Sequence, residues 1–217
     1  RLSKDDNIHD NSYYYLINMP SKINISLIYD NISDFQFLKS AISAINYSNK
    51  IFNIEEYPTN LINYADIVNS DIVFLSGYES VKQYFTDIER YVIEGGNVTI
   101  FPNNNDIDLS GIFPFIEINA SNTFNELETG TYIETNISGS NDYPFKNIIL
   151  PSNSNSEIRV TKYSEIPLSE DTSIPLGEAL SFLLTKDYED GYINIFSVAP
   201  DIIWSDLPLK GLFIPLI

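Results

Sequence analysis

There is no cysteine among the 217 residues, and there is a single histidine. The first absence removes disulfides, thiolate zinc sites and thiol nucleophiles together. The second leaves only His9, so no constellation that needs two imidazoles, or an imidazole beside a thiol, can form. Basic residues are scarce as well, with 12 Lys and Arg against 30 Asp and Glu, a net charge of −18. Such a surface repels nucleic-acid phosphates and anionic headgroups, which excludes nucleic acid as a partner, and it reads as a solubility feature. Phosphate loops are missing too: Gly77, Gly95 and Gly96 have neither the G-x-G-x-x-G spacing nor a following Lys-Ser/Thr. No apolar run in the given residues approaches the roughly 20 of a spanning helix, no signal-peptide pattern is read in them, and no repeat of solenoid length is visible.

What the chain does hold is a core. Apolar residues make up 43% and aromatics 13% of it, which excludes global disorder and suits one sizeable α/β domain. The clearest stretch is Asp71 to Asn103. Ile72, Val73, Phe74 and Leu75 form a short continuous apolar run, as in a strand buried on both faces. Val81, Tyr84, Phe85, Ile88, Tyr91 and Val92 then recur at helical spacing. Ser80 with Gln83 fits a capping box, Gly95-Gly96 a left-handed stop, and Val98 to Phe101 the next strand. A helix between two buried strands implies a parallel sheet.

The same alternation runs upstream. Ile23 to Tyr29 reads as a strand, and Ser33 with Gln36 as a capping box before a helix whose stripe is Leu38, Ala41, Ile42 and Ile45. Lys50 to Tyr57 reads as a second strand and Leu61 to Val68 as a short helical crossover. The first hundred residues are thus expected to form β-α-β-α-β-α-β, a doubly wound, mostly parallel sheet with four strands starting at Ile23, Lys50, Asp71 and Val98. After the Asn103 to Asp106 loop the character changes. A short helix is expected near Asp108 to Ile116. Short strands are expected near Thr131 to Thr135, Ile158 to Tyr163, Ala179 to Thr185 and Tyr192 to Val198. The last two flank Lys186 to Gly191, whose Asp-Gly signals a hairpin. Pro151 to Ser156 is a polar low-complexity loop.

The order of Asn63-Tyr64-Ala65-Asp66, Asp71 to Leu75, Ile88 to Val92 with Gly95-Gly96, Asn141 to Phe145, Gly191 to Val198, and Trp204 to Leu209 with Leu212 to Leu216 resembles a known family. It is similar to the glutamine-amidotransferase-like (class I, flavodoxin-like) domain of BatA-type bacterial membrane proteins, over roughly residues 21–217. Trp-Ser-Asp-Leu-Pro-Leu with Phe-Ile-Pro-Leu is the most specific part. The resemblance implies that residues 1–20 are a terminal strand or arm of a preceding β-sandwich and that 21–217 are the α/β domain with β-hairpin additions. It also implies a membrane-anchored parent whose domain faces the periplasm, with the chain continuing past Ile217 into a membrane-spanning helix supplied by flanking segments. Active amidotransferases raise a cysteine on a strained turn after a strand, with a histidine as base. The corresponding turn after Phe101 holds Pro102, Asn103 and Asn104, and His9 lies outside the domain. Glutaminase chemistry is therefore not expected, nor is any cofactor.

His9 beside Asp10 reads as a loop residue, and Ser76 before Gly77 as a strand end. Asp5, Asp6 and Asp10, or Asp187, Glu189 and Asp190, lack calcium-loop spacing and read as solvated turns. Glu55 and Glu56 point to opposite faces of a strand and cannot flank one glycosidic bond. Trp204, the sole tryptophan, reads as a packing anchor rather than a sugar platform. Two functions stay open: a non-catalytic interaction domain with protein partners, contributing to envelope assembly or stress tolerance, or a carboxylate-dependent hydrolase acting on a small molecule or glycan. The candidate ligand edge for either is the carboxyl end of the sheet, with Asp30, Glu79, Asn103, Asn104 and Asn105. A convergent acidic pair in a closed pocket would favour the enzyme, and a shallow or apolar-rimmed edge the binder.

Overall fold

The computed structural model describes residues 22–77, 82–104, 124–137 and 157–216. The expected N-terminal arm, the Asp108 to Ile116 helix, His9, the Asp5, Asp6 and Asp10 cluster, the Pro151 to Ser156 loop, Glu79 and Asn105 lie outside them. Within them, the alternation read from the first hundred residues is present. Strands β1 (Ile23–Tyr29), β2 (Phe52–Pro58), β3 (Ile72–Ser76) and β4 (Asn97–Phe101) alternate with helices α1 (Gln36–Asn49), α2 (Tyr64–Val68) and α3 (Phe85–Ile93). The second half adds β5 (Phe124–Glu126), β6 (Ile133–Asn136), β7 (Glu157–Val160), β8 (Lys162–Ser164), β9 (Thr172–Leu176), β10 (Leu180–Tyr188), β11 (Gly191–Phe196) and the short α4 (Phe213–Leu216).

Seven strands form one sheet in the order β2-β1-β3-β4-β11-β10-β9. The first five positions are parallel: β1 pairs with β2 and β3, β3 with β4, and β4 with β11. Strands β10 and β11 form the expected antiparallel hairpin, and β9 continues it antiparallel at the edge. The hairpin is thus spliced into the parallel sheet through β11. Two further antiparallel pairs, β5-β8 and β6-β7, stand apart.

The sheet is covered on both faces, as continuous apolar strands require. On one side Ile67 of α2 and Ile88, Tyr91 and Val92 of α3 pack on Val73, Leu75, Val98, Ile100, Ile193 and Ile195. On the other, Phe35, Leu38 and Ile42 pack on Leu27, Phe74, Phe101 and Phe196, and the same core continues into Ile158, Val160, Trp204, Leu207 and Phe213. Phe101 stacks on Phe196 at 4.7 Å and meets Phe35 edge-on at 6.1 Å.

Several local expectations are corrected. The chain enters α1 through a 3-10 turn, Ile32–Phe35, with Asn31 as its cap, so Ser33 and Gln36 do not form the capping box. Asp34, rather than Gln36, reaches back to the cap: its Oδ2 accepts from the Asn31 amide at 3.2 Å. A carboxylate satisfies an orphan N–H more strongly than an amide side chain does. Lys50 ends α1 in the left-handed region at φ 51°, so β2 starts at Phe52. The α3 stop is Gly95, at φ +97°, as its sequence signal implies. Gly96 serves differently, since a Cβ there would meet the Tyr91 ring at 2.3 Å. The β10-β11 turn is tighter than expected, with only Glu189 and Asp190 between the strands and Glu189 at φ 51°. The single strand expected over Ile158 to Tyr163 is two, because Thr161 leaves the ladder to donate its amide to the Trp204 carbonyl at 2.9 Å.

Candidate functional site

In a parallel sheet the loops after β1, β2, β3, β4 and β11 all leave at the same edge, and the β1/β3 boundary is where the connections reverse direction. Ligands of doubly wound sheets bind at that position. Here it carries a network of short polar side chains. Asp30, just past β1, accepts from Thr59 Oγ1 on Oδ1 at 2.6 Å and from Asn103 Nδ2 on Oδ2 at 3.1 Å. Thr59 follows β2 and Asn103 follows β4, so one carboxylate ties three strand ends together. Thr59 is held in turn, its amide donating to the Tyr29 carbonyl at 2.9 Å and its carbonyl accepting from the Tyr84 hydroxyl. Asn103 is 4% exposed.

Gly77 is what lets the network close. At φ +93°, it lies where a Cβ would come within 2.3 Å of Asn103 Nδ2 and 3.1 Å of Asp30 Oδ2. Its own amide donates to the Phe101 carbonyl at 2.9 Å, carrying the β3-β4 pairing one residue past the strand. A side chain would both strain the backbone and displace the asparagine.

A second carboxylate stands beside the first. Asp34 accepts from the Asn31 amide at 3.2 Å and from Ser76 Oγ at 3.0 Å, both on Oδ2. Its carboxyl titrates above the usual range. Burial is the main cause, with the negative charges of Asp30 and Asp201 adding to it, while the bonds from Asn31 and Ser76 pull the other way. Asp201 comes from the loop after β11, so three acidic residues from two loops share this edge.

Of the sequence-derived edge, Asp30 and Asn103 are brought together directly. Asn104 turns away: its Oδ1 accepts from Lys162 Nζ at 2.6 Å, and that ammonium lies 4.7 Å from the Trp204 ring and 5.4 Å from the Phe124 ring. Trp204 is buried and meets Phe124 edge-on at 5.3 Å, the packing role read from the sequence. Sequence reasoning missed Thr59, Asp34, Ser76 and Asp201. Three of these sit at a strand end or on the loop just beyond it, so listing every polar residue there, rather than only Asp30, Glu79 and the three asparagines, finds them. Asp34 was hidden by assigning the cap to Ser33.

Around this polar centre the loops present apolar side chains. Ile32 beyond β1, Leu61 beyond β2, and Ile202 and Ile203 beyond β11 are 50–70% exposed. None of Pro102, Asn103 and Asn104 has a positive φ; among the described non-glycine residues only Lys50 and Glu189 do. The turn after β4 is therefore not a strained nucleophile turn of the kind that lifts a reactive side chain off a sheet. Among the described residues no group of three or more Asp, Glu, His or Cys is arranged to hold a metal ion. Glu55 and Glu56 do diverge, Glu55 accepting from Tyr57 Oη and Glu56 pairing with Lys39 of α1.

No protein-family model matches the chain, and no curated protein does. Among solved structures, the chain is similar to the cytoplasmic protein STM1381 from Salmonella typhimurium LT2, with a TM-score of 0.62 over 89% of this chain and 93% of that one, at 12% identity. That likeness is one of fold. It also corrects the expected placement in a periplasm-facing, membrane-anchored protein, since a solved structure with this architecture is that of a cytoplasmic protein. No described helix is long and apolar enough to cross a membrane. What the chain and its neighbour share is a mixed α/β fold around a mostly parallel central sheet.

Proposed function

We propose that this is a non-catalytic binding domain on a flavodoxin-like scaffold of the class I amidotransferase kind, with a protein as its partner. The observation that carries the reading is the occupation of the carboxyl edge by mutual hydrogen bonds. Where an amidotransferase would hold its cysteine, Asn103 is buried and donates to Asp30. Asp30 in turn is held on both oxygens. A nucleophile or general base must be able to reach a substrate proton, and these groups are already engaged with one another. The sheet order β2-β1-β3-β4-β11 supports the flavodoxin-like part, being the 2-1-3-4-5 arrangement of that fold. The exposed Ile32, Leu61, Ile202 and Ile203 support the binding part, because exposed apolar side chains brought to one edge of a fold are surface that a protein partner can bury.

The alternative, a carboxylate-dependent hydrolase, has one observation in its favour. Asp34 is a carboxyl with a raised pKa beside a hydroxyl, Ser76, and raised carboxyls serve as general acids. Two assays separate the readings. Purified protein is given glutamine, and ammonia is compared with a heat-killed control; it is then given p-nitrophenyl esters and glycosides. The binding reading expects no turnover above control in either. Hydrolysis that disappears in Asp34→Asn or Asp30→Asn, in protein that remains folded, would replace it with the enzymatic one.

A further inference from the structure

On the α1 side of the sheet, β4, β11 and β10 present their side chains in three rows. The row nearest the carboxyl edge is apolar, made of Phe101, Phe196 and Leu183. The middle row is Thr99, Asn194 and Thr185, in register across the three strands. The row nearest the amino edge is Asn97, Tyr192 and Asp187. Thr99 is buried, the other residues of the two polar rows are half-buried, and Asp187 is exposed, so this part of the face can be reached from solvent. Thr185 and Asp187, with Tyr192 and with Ser173 from β9, line a pocket of about 330 Å³, at the small end of the range for ligand sites.

The hydrogen bonds in the middle row have a direction. Thr185 Oγ1 donates to Asn194 Oδ1 at 2.9 Å, and Asn194 Nδ2 reaches Thr99 Oγ1 at 3.4 Å. The Thr185 proton is thereby committed away from the pocket, leaving its lone pairs as acceptors. Asp187 adds a carboxylate. Next to Tyr192 in register, the Asn97 Oδ1 is buried with no hydrogen-bond partner, another acceptor on this face in want of a donor. Lys186, the residue before Asp187, is directed to Asp171 at 3.5 Å. The pocket is rich in acceptors, carries one negative charge and has an aromatic ring in its wall.

We propose that this pocket binds a primary alkylammonium group. An ammonium is three donors and no acceptor, which matches Thr185 and Asp187, and the Tyr192 ring supplies a face for a cation. The net charge of −18 concentrates such cations near the surface. A neutral sugar fits less well, since it brings acceptors as well as donors to a lining whose unanswered groups are mostly acceptors. The ammonium could come from a free small amine or from the lysine side chain of a partner protein. The pocket lies on the sheet face toward the amino ends of β4 and β11, so it is independent of the carboxyl-edge reading.

The test is a ¹H–¹⁵N NMR titration of the full chain at neutral pH in physiological salt. Three probes are used separately: putrescine, N-acetyl-lysine methylamide and methyl glucoside. Saturable shifts at the amides of Thr185, Asp187 and Tyr192 are expected with at least one of the two amines. Binding of putrescine alone assigns a free amine as source, and binding of the lysine derivative assigns a side chain. Asp187→Asn should weaken binding by about tenfold, the effect of losing one partly shielded charge pair. Thr185→Val should weaken it measurably, whereas Glu178→Gln, an equal loss of charge outside the pocket, should change it less than about twofold. The spectra themselves report whether each variant is folded. Shifts that never saturate, an Asp187→Asn effect no larger than that of Glu178→Gln, or methyl glucoside binding the same amides as tightly as the amines would each overturn the proposal.

Discussion

Gly77 and Asn103 are packed so closely that a single added carbon on the glycine would come within 2.3 Å of the asparagine Nδ2. The contact joins the end of β3 to the turn after β4, and through Asn103 it reaches Asp30 just past β1. Gly77→Ala should therefore act twice. It forces a Cβ into a φ of +93°, and it pushes Asn103 off the carboxylate it serves. The first effect costs about 1–2 kcal/mol and the loss of a charge-assisted bond about 1.5–3 kcal/mol. Chemical denaturation should show a drop of several kcal/mol. Asn103→Ala, which removes the bond without the backbone strain, should cost less than Gly77→Ala.

Asp34 gives a pH dependence whose sign follows from its environment. Burial and the charges of Asp30 and Asp201 raise its pKa above the usual 3.8, so the folded state holds this proton more tightly than the unfolded chain does. The contribution of Asp34 to stability is then greatest below 3.8, falls as pH rises toward the raised folded value, and is flat above it. Asp34→Asn removes the ionisation but keeps one oxygen to accept from Asn31 or Ser76. The variant should gain on the wild type in thermal midpoint as pH rises through that window, measured by circular dichroism. Carboxyl-detected NMR should place the Asp34 titration above 3.8.

Much of this architecture was legible because burial writes itself into periodicity. Ile72 to Leu75 and Ile23 to Tyr29 could be read as strands, and Leu38 and Ile42 as the buried stripe of α1, since each is repeated at the spacing its element imposes. Strand β9 was missed because Thr172 and Ser173 are polar and Pro175 cannot donate to a ladder, which is tolerated only at an edge such as this one. The parallel pairing of β11 with β4 was hidden for another reason. A tight turn announces that two strands are antiparallel to each other, and says nothing about the third strand either will join. The site was half legible on the same grounds. Asp30 and Asn103 follow from the rule that ligand edges lie at carboxyl ends of strands. That Thr59 and Ser76 would converge with them depends on register between strands distant in sequence, which no local pattern encodes.

Lys162 is the link between the turn after β4 and the small β5-β8 pair. Its ammonium bonds Asn104 Oδ1 at 2.6 Å and sits over both Trp204 and Phe124. Lys162→Met keeps the apolar stem and removes the charge. The loss should be about 1–2 kcal/mol, combining a cation–π contact with a hydrogen bond to a charged donor. Asn104→Ala alone should cost less, because only the hydrogen bond is lost. The double variant should fall short of the sum by about 0.5–1 kcal/mol if the two residues interact directly. Additive losses in urea denaturation would show that Lys162 acts through the aromatic rings alone.

Trp204 offers a check on both packing and ligand chemistry, because it is the only tryptophan in the chain and its fluorescence is unambiguous. The ring is 1% exposed. Its carbonyl accepts the amides of Thr161 at 2.9 Å and Lys162 at 3.1 Å, the two residues at the break between β7 and β8. The side chain fills the space under Phe124, and the backbone closes the bend, so the residue holds the second-half strands against the main core. Emission should be blue-shifted relative to the free amino acid and little quenched by iodide. Addition of saccharides should leave it unchanged, since a sugar-stacking ring would have to be open to solvent. Trp204→Ala should cost about 3–5 kcal/mol, the range for emptying a large aromatic site, whereas Trp204→Phe should recover part of that. Quenching by iodide in native protein, or a Trp204→Ala loss below about 1 kcal/mol, would mean that the ring faces solvent and is available to a ligand.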